Sequence, residues 1–241
     1  MAVMFDCSSD MALFRKPYTT TSSVSFAFPP PSAIAGLVSA IVGLDNGASG
    51  NASRADYWRE LAGTRVAVAL LRQTRWLRAA VNFWNVKNPQ STPHIQVKHQ
   101  FVSSPRYRVY VSGGVEARLR GHLERGSFIY TPFLGVAYAL AQIDYIGSCD
   151  PRPAEKGEVR VNTVIPWTEE GMELNLAESG GVFSERVPFR LTAERALDES
   201  VKVVYSADVN RPLCVRKRGE LHVTRCAARG VEDIVAWFPE W

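Results

Sequence analysis

Lys98 and His99 stand side by side, with His94 four positions before the lysine and Tyr107 farther along the chain. An imidazole and a phenol can move protons, and an ammonium can steady the charge of a pentacoordinate phosphate, so these are the residue types of metal-independent RNA cleavage. Neighbouring side chains of a strand point to opposite faces, however, and Lys98 and His99 converge only across a loop or bulge. The same residues also serve as simple contacts to RNA phosphates or as plain surface. Little else in the chain offers catalytic chemistry. GxxxxGK[ST], GxGxxG, HExxH and GxSxG are all missing, which removes the usual evidence for nucleotide hydrolases, Rossmann enzymes, zincins and α/β hydrolases. Glu169 and Glu170 sit in a Gly-containing stretch without a visible partner, and His122 and His222 are isolated in the sequence. Cys7, Cys149, Cys214 and Cys226 form no CxxC pair and have no nearby Cys or His, so they are expected as buried thiols of a reducing compartment. No metal and no cofactor is expected.

The charge pattern points to a ligand more directly than any motif. From Leu61 to Val115 there is no Asp or Glu, while Arg65, Arg72, Arg75, Arg78, Lys87, Lys98, Arg106 and Arg108 are all cationic. The whole chain carries only +4, so the remainder is acidic. Trp76, Phe83, Trp84, Phe101, Tyr107 and Tyr110 are interleaved with those cations. Cations attract phosphates and aromatic planes stack on unpaired bases, which together make a site for single-stranded nucleic acid. The plainer reading is a solvated basic face whose aromatics belong to the core.

The elements that must carry these residues follow from hydrophobic spacing. Phe5 to Phe14 reads as a strand pair or a bulged strand, and the polar run Tyr18 to Ser25 as a loop. Pro29, Pro30 and Pro31 lead to an N-cap at Ser32, and Ile34, Leu37, Val38, Ile41 and Val42 recur at helical spacing through Leu44. A loop is expected from Asp45 to Ser53. Thr64 to Leu71 is a β-branched strand, and Arg106 to Val111 alternates, with Arg106, Arg108 and Tyr110 on one face. The thirty or so residues between those strands form a long hairpin excursion, a length usually functional or disordered. Val115 to Arg125 is a helix stopped at Gly126, and Ala141 to Cys149 is a strand. This order of strand, helix, strand, strand, helix, strand predicts an α+β, ferredoxin-like unit over residues 1–150. Pro151 to Gly157 reads as a linker. A β-rich C-terminal subdomain over 158–241 follows, with strands at Glu158 to Trp167, Gly181 to Leu191, Val201 to Ala207, Glu220 to Arg225 and Ile234 to Phe238.

The charge-free run from Tyr18 to Leu44 is broken by its prolines, and the thirteen residues left after them are too few to span a bilayer. With no basic segment ahead of an apolar stretch at the N-terminus, a cytoplasmic protein without membrane contact is expected.

Phe14-Arg15-Lys16-Pro17, a polar gap, and then Phe28-Pro29-Pro30-Pro31-Ser32-Ala33-Ile34-Ala35-Gly36-Leu37-Val38-Ser39-Ala40-Ile41-Val42-Gly43-Leu44 closely resemble the opening of the CRISPR-associated RAMP proteins that cap the 5′ end of the guide RNA in type I Cascade, the fifth-numbered Cas family. Pro105-Arg106-Tyr107-Arg108, Tyr130-Thr131-Pro132-Phe133-Leu134-Gly135 and Phe238-Pro239 are similar as well. The resemblance implies a ferredoxin-like, RRM-like domain with a protruding thumb hairpin between its second and third strands, which corresponds here to about residues 78–105. It also implies that this thumb holds the 5′ handle of the crRNA while other surfaces meet the Cascade backbone subunit and the Cascade large subunit.

The expectation is then a non-catalytic RNA-binding subunit of a type I ribonucleoprotein complex in antiviral defence. Arg15, Lys16, Lys87, Lys98, Arg106 and Arg108 would meet phosphates, and Trp84, His99 and Tyr107 would stack on bases. The alternative is a metal-independent endoribonuclease that processes precursor crRNA with Lys98, His99 and Tyr107. A third reading has the basic stretch docking an acidic protein partner in a purely structural role.

Overall fold

The computed structural model describes residues 1–19, 22–47, 54–154, 157–167, 171–217 and 221–241. Its first half is built on a four-stranded antiparallel sheet. β1 (Ala2–Ser8) lies at the centre, followed in the chain by helix α1 (Pro31–Val42) and the edge strand β2 (Thr64–Leu70). β3 (Trp76–Trp84) and β4 (His94–Ser103) come next, then β5 (Arg106–Gly113), α2 (Glu116–Arg125) and β6 (Gln142–Cys149). The sheet order is β2-β5-β1-β6, and all neighbours are antiparallel.

β1 reads as a nearly unbroken apolar run because both of its faces are covered. Val3, Phe5 and Cys7 join the core shared with α1 and α2. Ala2 and Met4 face the other way, onto Cys226, Val235 and Trp237 from the second half. α1 begins one residue before the expected Ser32 cap. Pro31 occupies the first helical position and Pro30 is the extended N-cap. A proline there has the right φ and gives up an N–H that would be unpaired anyway, so no side-chain cap is needed. The helix is capped at its other end by Gly43 in the left-handed region, and a Cβ there would strike the Ile129 side chain at 2.7 Å. α2 buries Leu119 and Leu123 and ends at a left-handed Gly126, as its spacing predicts.

Tyr18 to Ser25 is not simply a loop. Ser22–Phe26 forms a strand, parallel to β4 and antiparallel to Phe14–Arg15. Its buried Ser25 is satisfied by backbone: Ser25 Oγ accepts the Phe14 N–H at 2.8 Å and donates to the Phe26 carbonyl at 2.7 Å. A polar side chain with a local backbone partner can thus be buried, and hydropathy alone does not reveal it.

β3 and β4 form the long excursion, a two-stranded arm in unbroken register from Trp76 opposite Val102 to Trp84 opposite His94. Its root is tied down because β4 also pairs with Met11–Ala12 and with Ser22 to Val24.

Among the described residues the second half holds three small antiparallel sheets. One is built on the hairpin of β7 (Val182–Leu191) and β8 (Leu197–Ser206), another on β9 (Val223–Ala228) and β10 (Val231–Ala236). Leu213–Lys217 and Met172–Leu174 are strands that the sequence pattern missed. The expected linker is partly structured, since Arg152–Pro153 pairs with Thr224 and Arg225; residues 155–156 lie outside the described ones. So do most of the expected Asp45 to Ser53 loop, Glu169, Glu170 and Glu220. Val187, Phe189, Val203, Tyr205 and Phe238 enter the same apolar core as α1, so packing crosses from one half to the other. All four cysteines are buried and unbridged. Among the described residues no group of three or more His, Cys, Asp or Glu could hold a metal ion, and no helix is long and apolar enough to cross a membrane.

Candidate nucleic-acid interface

The strict alternation of a β-ribbon divides the arm into two unlike faces. Trp76, Arg78, Asn82 and Trp84 of β3 share one face with His94, Gln96, Lys98 and Gln100 of β4. The opposite face carries Leu77, Val81 and Phe83, with Ile95, Val97, His99 and Phe101 across from them. The polar face is open to solvent, and Trp84 at its tip is 59% exposed. The apolar face overhangs a cleft of about 720 Å³ lined by Phe83, Ile95, Val97 and His99 above, and Phe14, Arg15, Ala33 and Tyr138 below. Gly135 allows the floor of that cleft to form. It has φ +86 and lies against the Leu13 carbonyl, where any Cβ would come within 2.1 Å, while the Leu13 N–H donates to Leu134 O at 3.2 Å.

The eight cations of the carboxylate-free stretch separate into two groups once their partners are known. Arg65 pairs with Glu240 at 2.8 Å. Asp6, buried at the centre of the sheet, accepts from Arg106 at 3.1 Å and from Arg108 at 2.7 Å. Arg108 also donates to Asp233 at 3.1 Å, and the Tyr110 hydroxyl donates to the same carboxylate at 2.5 Å. Burial pulls against the Arg108 charge, but hydrogen bonding and charge from Asp6 outweigh it and hold the guanidinium more firmly protonated than usual. Burial, and then the Asp233 charge, push the Tyr110 phenol up. Arg72, Arg75, Arg78, Lys87 and Lys98 form no ion pair among the described residues. These five lie on the arm or at its root.

The expected contacts are therefore sorted by the fold. Arg15, Trp84, Lys87 and Lys98 are exposed, and Arg15 donates to the Thr19 carbonyl at 2.7 Å beside the cleft. Lys16 is turned into the body, where it pairs with Glu185 and lies over the Phe26 ring. Arg106 is 49% exposed despite its bond to Asp6, whereas Arg108 is only 12% exposed and clasped between two carboxylates. Arg108 is a structural cation, which corrects its expected role as a phosphate contact. Tyr107 is corrected likewise. It is 1% exposed and donates to the Ala27 carbonyl at 2.8 Å, leaving no ring surface for a base. Burial first, and nearby Cys7 and Tyr205 after it, raise that phenol well above its ordinary value.

His99 is 6% exposed, packed flat on Phe101 at 5.3 Å and tilted over Phe83 at 5.6 Å, with Nδ1 3.0 Å from Val97 O. It forms part of the apolar face above the cleft. Lys98 and His99 stand on opposite faces with no bulge between them, and Tyr107 is in the core, so the three residues of the cleavage alternative are not brought together. Sequence reasoning passed over Arg78, Phe83, Ile95 and Tyr138 as site residues. The register between the two strands is what brings the first three together with the rest of the site, and nothing in the sequence placed Tyr138 beneath the arm.

Comparison with known proteins places this architecture. The family model for CRISPR-associated protein (Cas_Cas5) matches residues 2–155. The chain belongs to the CRISPR-associated Cas5 family. The match spans β1 through β6, including the arm. Among solved structures, the fold is similar to that of a chain described as a CRISPR RNA-guided surveillance complex, with TM-score 0.51 and 10% identity over 98% of this chain and 91% of that one. A CRISPR protein from Archaeoglobus fulgidus gives 0.52 and 14% over 98% and 100%. A chain of the type III-B Cmr-beta complex bound to cognate target RNA and AMPPnP gives 0.53 and 12% over 89% and 86%. At such identities the likeness is one of α+β fold. No curated protein matches this Cas5 family member in sequence.

Proposed function

We propose that this chain binds the 5′ handle of crRNA in a type I CRISPR surveillance complex and closes one end of its backbone filament, without cutting RNA. The observation that carries this reading is the arm. Its outer face presents Arg78, Lys98 and Trp84 with no carboxylate in the stretch to compete for them. Its inner face and the body border an open cleft of about 720 Å³, roomy enough to admit an unpaired base and lined by Phe83 and Arg15. Cations beside aromatic planes are the general requirement for gripping single-stranded RNA.

Residues 1–150 are read as a ferredoxin-like RAMP unit, which the strand order β2-β5-β1-β6 with both helices on one face supports. Residues 158–241 are read as a β-rich subdomain packed on it. The handle contacts are Arg15, Arg78, Lys87, Lys98, Arg106 and Trp84, with the His99 and Phe83 rings available inside the cleft. The Cascade backbone and large subunits are the protein partners, at surfaces away from the arm.

Filter binding with handle RNA across a salt series tests the reading. Affinity should fall steeply with salt, by a slope of roughly 0.7 per phosphate contacted. A flat response would overturn it. Incubating the same protein with precursor repeat RNA in EDTA tests the silent role of the arm in cleavage; RNA cut at one site and left intact by His99→Ala would make the chain a nuclease instead.

A further inference from the structure

β3 is the outer strand of the arm, and the direction of each of its peptide groups can be worked out. The Asn85 N–H donates to Pro93 O at 2.8 Å, and Arg75 O accepts from the Ser103 N–H at 2.8 Å. Arg75 and Asn85 thus turn inward at the two ends of an unbroken antiparallel register. Inward and outward residues alternate in such a ladder. Residues 77, 79, 81 and 83 therefore turn toward β4, and Trp76, Arg78, Ala80, Asn82 and Trp84 turn their N–H and C=O groups outward. Among the described residues no strand pairs with that side of β3.

Soluble proteins shield such edges with proline, bulges, charge or a covering loop. β3 has no proline and no register shift, and Arg78 is its single charge in nine residues. Its sequence is also close to symmetric about Ala80. If two copies pair antiparallel around that residue, Trp76 lies opposite Trp84 of the second copy and Arg78 opposite Asn82 of the second copy. On the other face Leu77 meets Phe83 of the second copy, and Ala79 meets Val81. Large residues oppose large, small oppose small, and no like charges face each other, which is the pattern that stabilises a cross-strand contact. Lys98 sits one strand in, beside Ala80. Its two copies stand about 14 Å apart, beyond the screening length at physiological salt.

We propose that this edge pairs with the same edge of a second copy of the chain, in a two-fold antiparallel contact centred on Ala80 that joins two arms into a four-stranded ribbon. The contact is isologous and therefore closes at two copies. An acidic strand from another protein would answer Arg78 but would leave the symmetry about Ala80 and the paired tryptophans without use. Two strands of nine residues make a small interface, so the pairing belongs to the RNA-free chain at micromolar and higher concentration.

Sedimentation velocity of the full-length, RNA-free protein over low to high micromolar concentration tests the proposal. A monomer–dimer transition is expected. Ala80→Pro removes one outward N–H and leaves the inward ladder intact, so the dimer should be lost while circular dichroism and handle-RNA binding stay as in the wild type. Asn82→Glu sets a carboxylate opposite Arg78 of the second copy twice over and should tighten the dimer several-fold; Asn82→Arg should weaken it at least tenfold. Ala80→Cys should cross-link to its counterpart when diamide takes up the two thiol hydrogens, because facing hydrogen-bonded residues have Cα atoms about 5.5 Å apart. A monomer at every concentration overturns the proposal, as does a dimer indifferent to both Asn82 exchanges. Should Ala80→Pro misfold, the two Asn82 variants decide alone. RNA binding is read separately, so its loss would count against the handle reading and not against the edge.

Discussion

Two antiparallel hairpins of similar length are put to opposite uses in this molecule. The arm, β3 with β4, holds three cations and no carboxylate between residues 76 and 103. The hairpin of β7 and β8 holds four of each between 182 and 206. In the second hairpin Arg190 bridges to Asp198 at 2.7 Å and to Glu199 at 3.6 Å across the strands. Val187, Phe189, Val203 and Tyr205 lie in the common core. That ribbon balances its charge and satisfies much of its apolar face against the body. The arm satisfies neither, with Trp76, Phe83, Trp84 and Ile95 in solvent and its cations without acids. An antiparallel pair alone is marginal in water, so a ribbon left in this condition makes sense as a surface waiting for a polyanion and for stacking partners.

The contrast can be broken most forcefully in the core. Phe189→Ala should cost about 3–5 kcal/mol of stability, whereas Phe83→Ala, already half in solvent, should cost less than about 1 kcal/mol; urea midpoints for the two variants measure both. The reverse ranking should hold for RNA. Arg78→Glu combined with Lys98→Glu should weaken handle binding by about ten- to a hundredfold and flatten its salt dependence, while Arg190→Glu in the neutralised hairpin leaves both unchanged in the same filter assay. Trp84→Ala should lose about 1–3 kcal/mol of RNA affinity with its melting temperature untouched.

Titration sharpens the comparison further. Burial, followed by the Glu185 charge, pushes up the Tyr205 phenol of the packed hairpin, and burial does the same for Cys7 and Tyr107 beneath it. An unfolded chain releases these protons near their ordinary values, about 8.5 for a thiol and 10 for a phenol. The folded one still holds them there, so stability should decline as pH rises through that range. Urea midpoints at a series of alkaline pH values would show this decline, and a midpoint rising with pH would contradict it. The smallest change should come from Arg190→Ala, within about 1 kcal/mol because its pairs are open to water.

Elements with a clear period were legible in the sequence. The helix after the proline run, β2 and α2 lie within a residue or two of where hydrophobic spacing puts them, and the arm falls inside the expected excursion between β2 and β5. The arm's two faces were not legible. Trp-Leu-Arg-Ala-Ala-Val-Asn-Phe-Trp has large apolar residues on both parities, so only the register with β4 separates them. The alternation of Arg106, Arg108 and Tyr110 against Tyr107 was plain, yet its meaning depends on partners far away in the chain. Asp6 lies about a hundred positions before those arginines and Asp233 more than a hundred after. Local pattern announces that a cation is present; whether a carboxylate already holds it is a tertiary fact. The same gap hid Ser22–Phe26, whose Ser25 looks solvated until the backbone atoms it bonds are known.

The clasp of Arg108 between Asp6 and Asp233 carries a consequence for biogenesis. Synthesis runs from the N-terminus, and the second carboxylate is made 125 positions after the guanidinium that it holds. Until then β1 and β5 can meet, but the sheet face that later receives Val235 and Trp237 stays wet, with one arm of the guanidinium facing water. Closure of that face is set by contacts of large sequence separation and is therefore slow. A nascent chain stalled before β9 and β10 exposes a half-neutralised, greasy sheet of the sort that chaperones recognise.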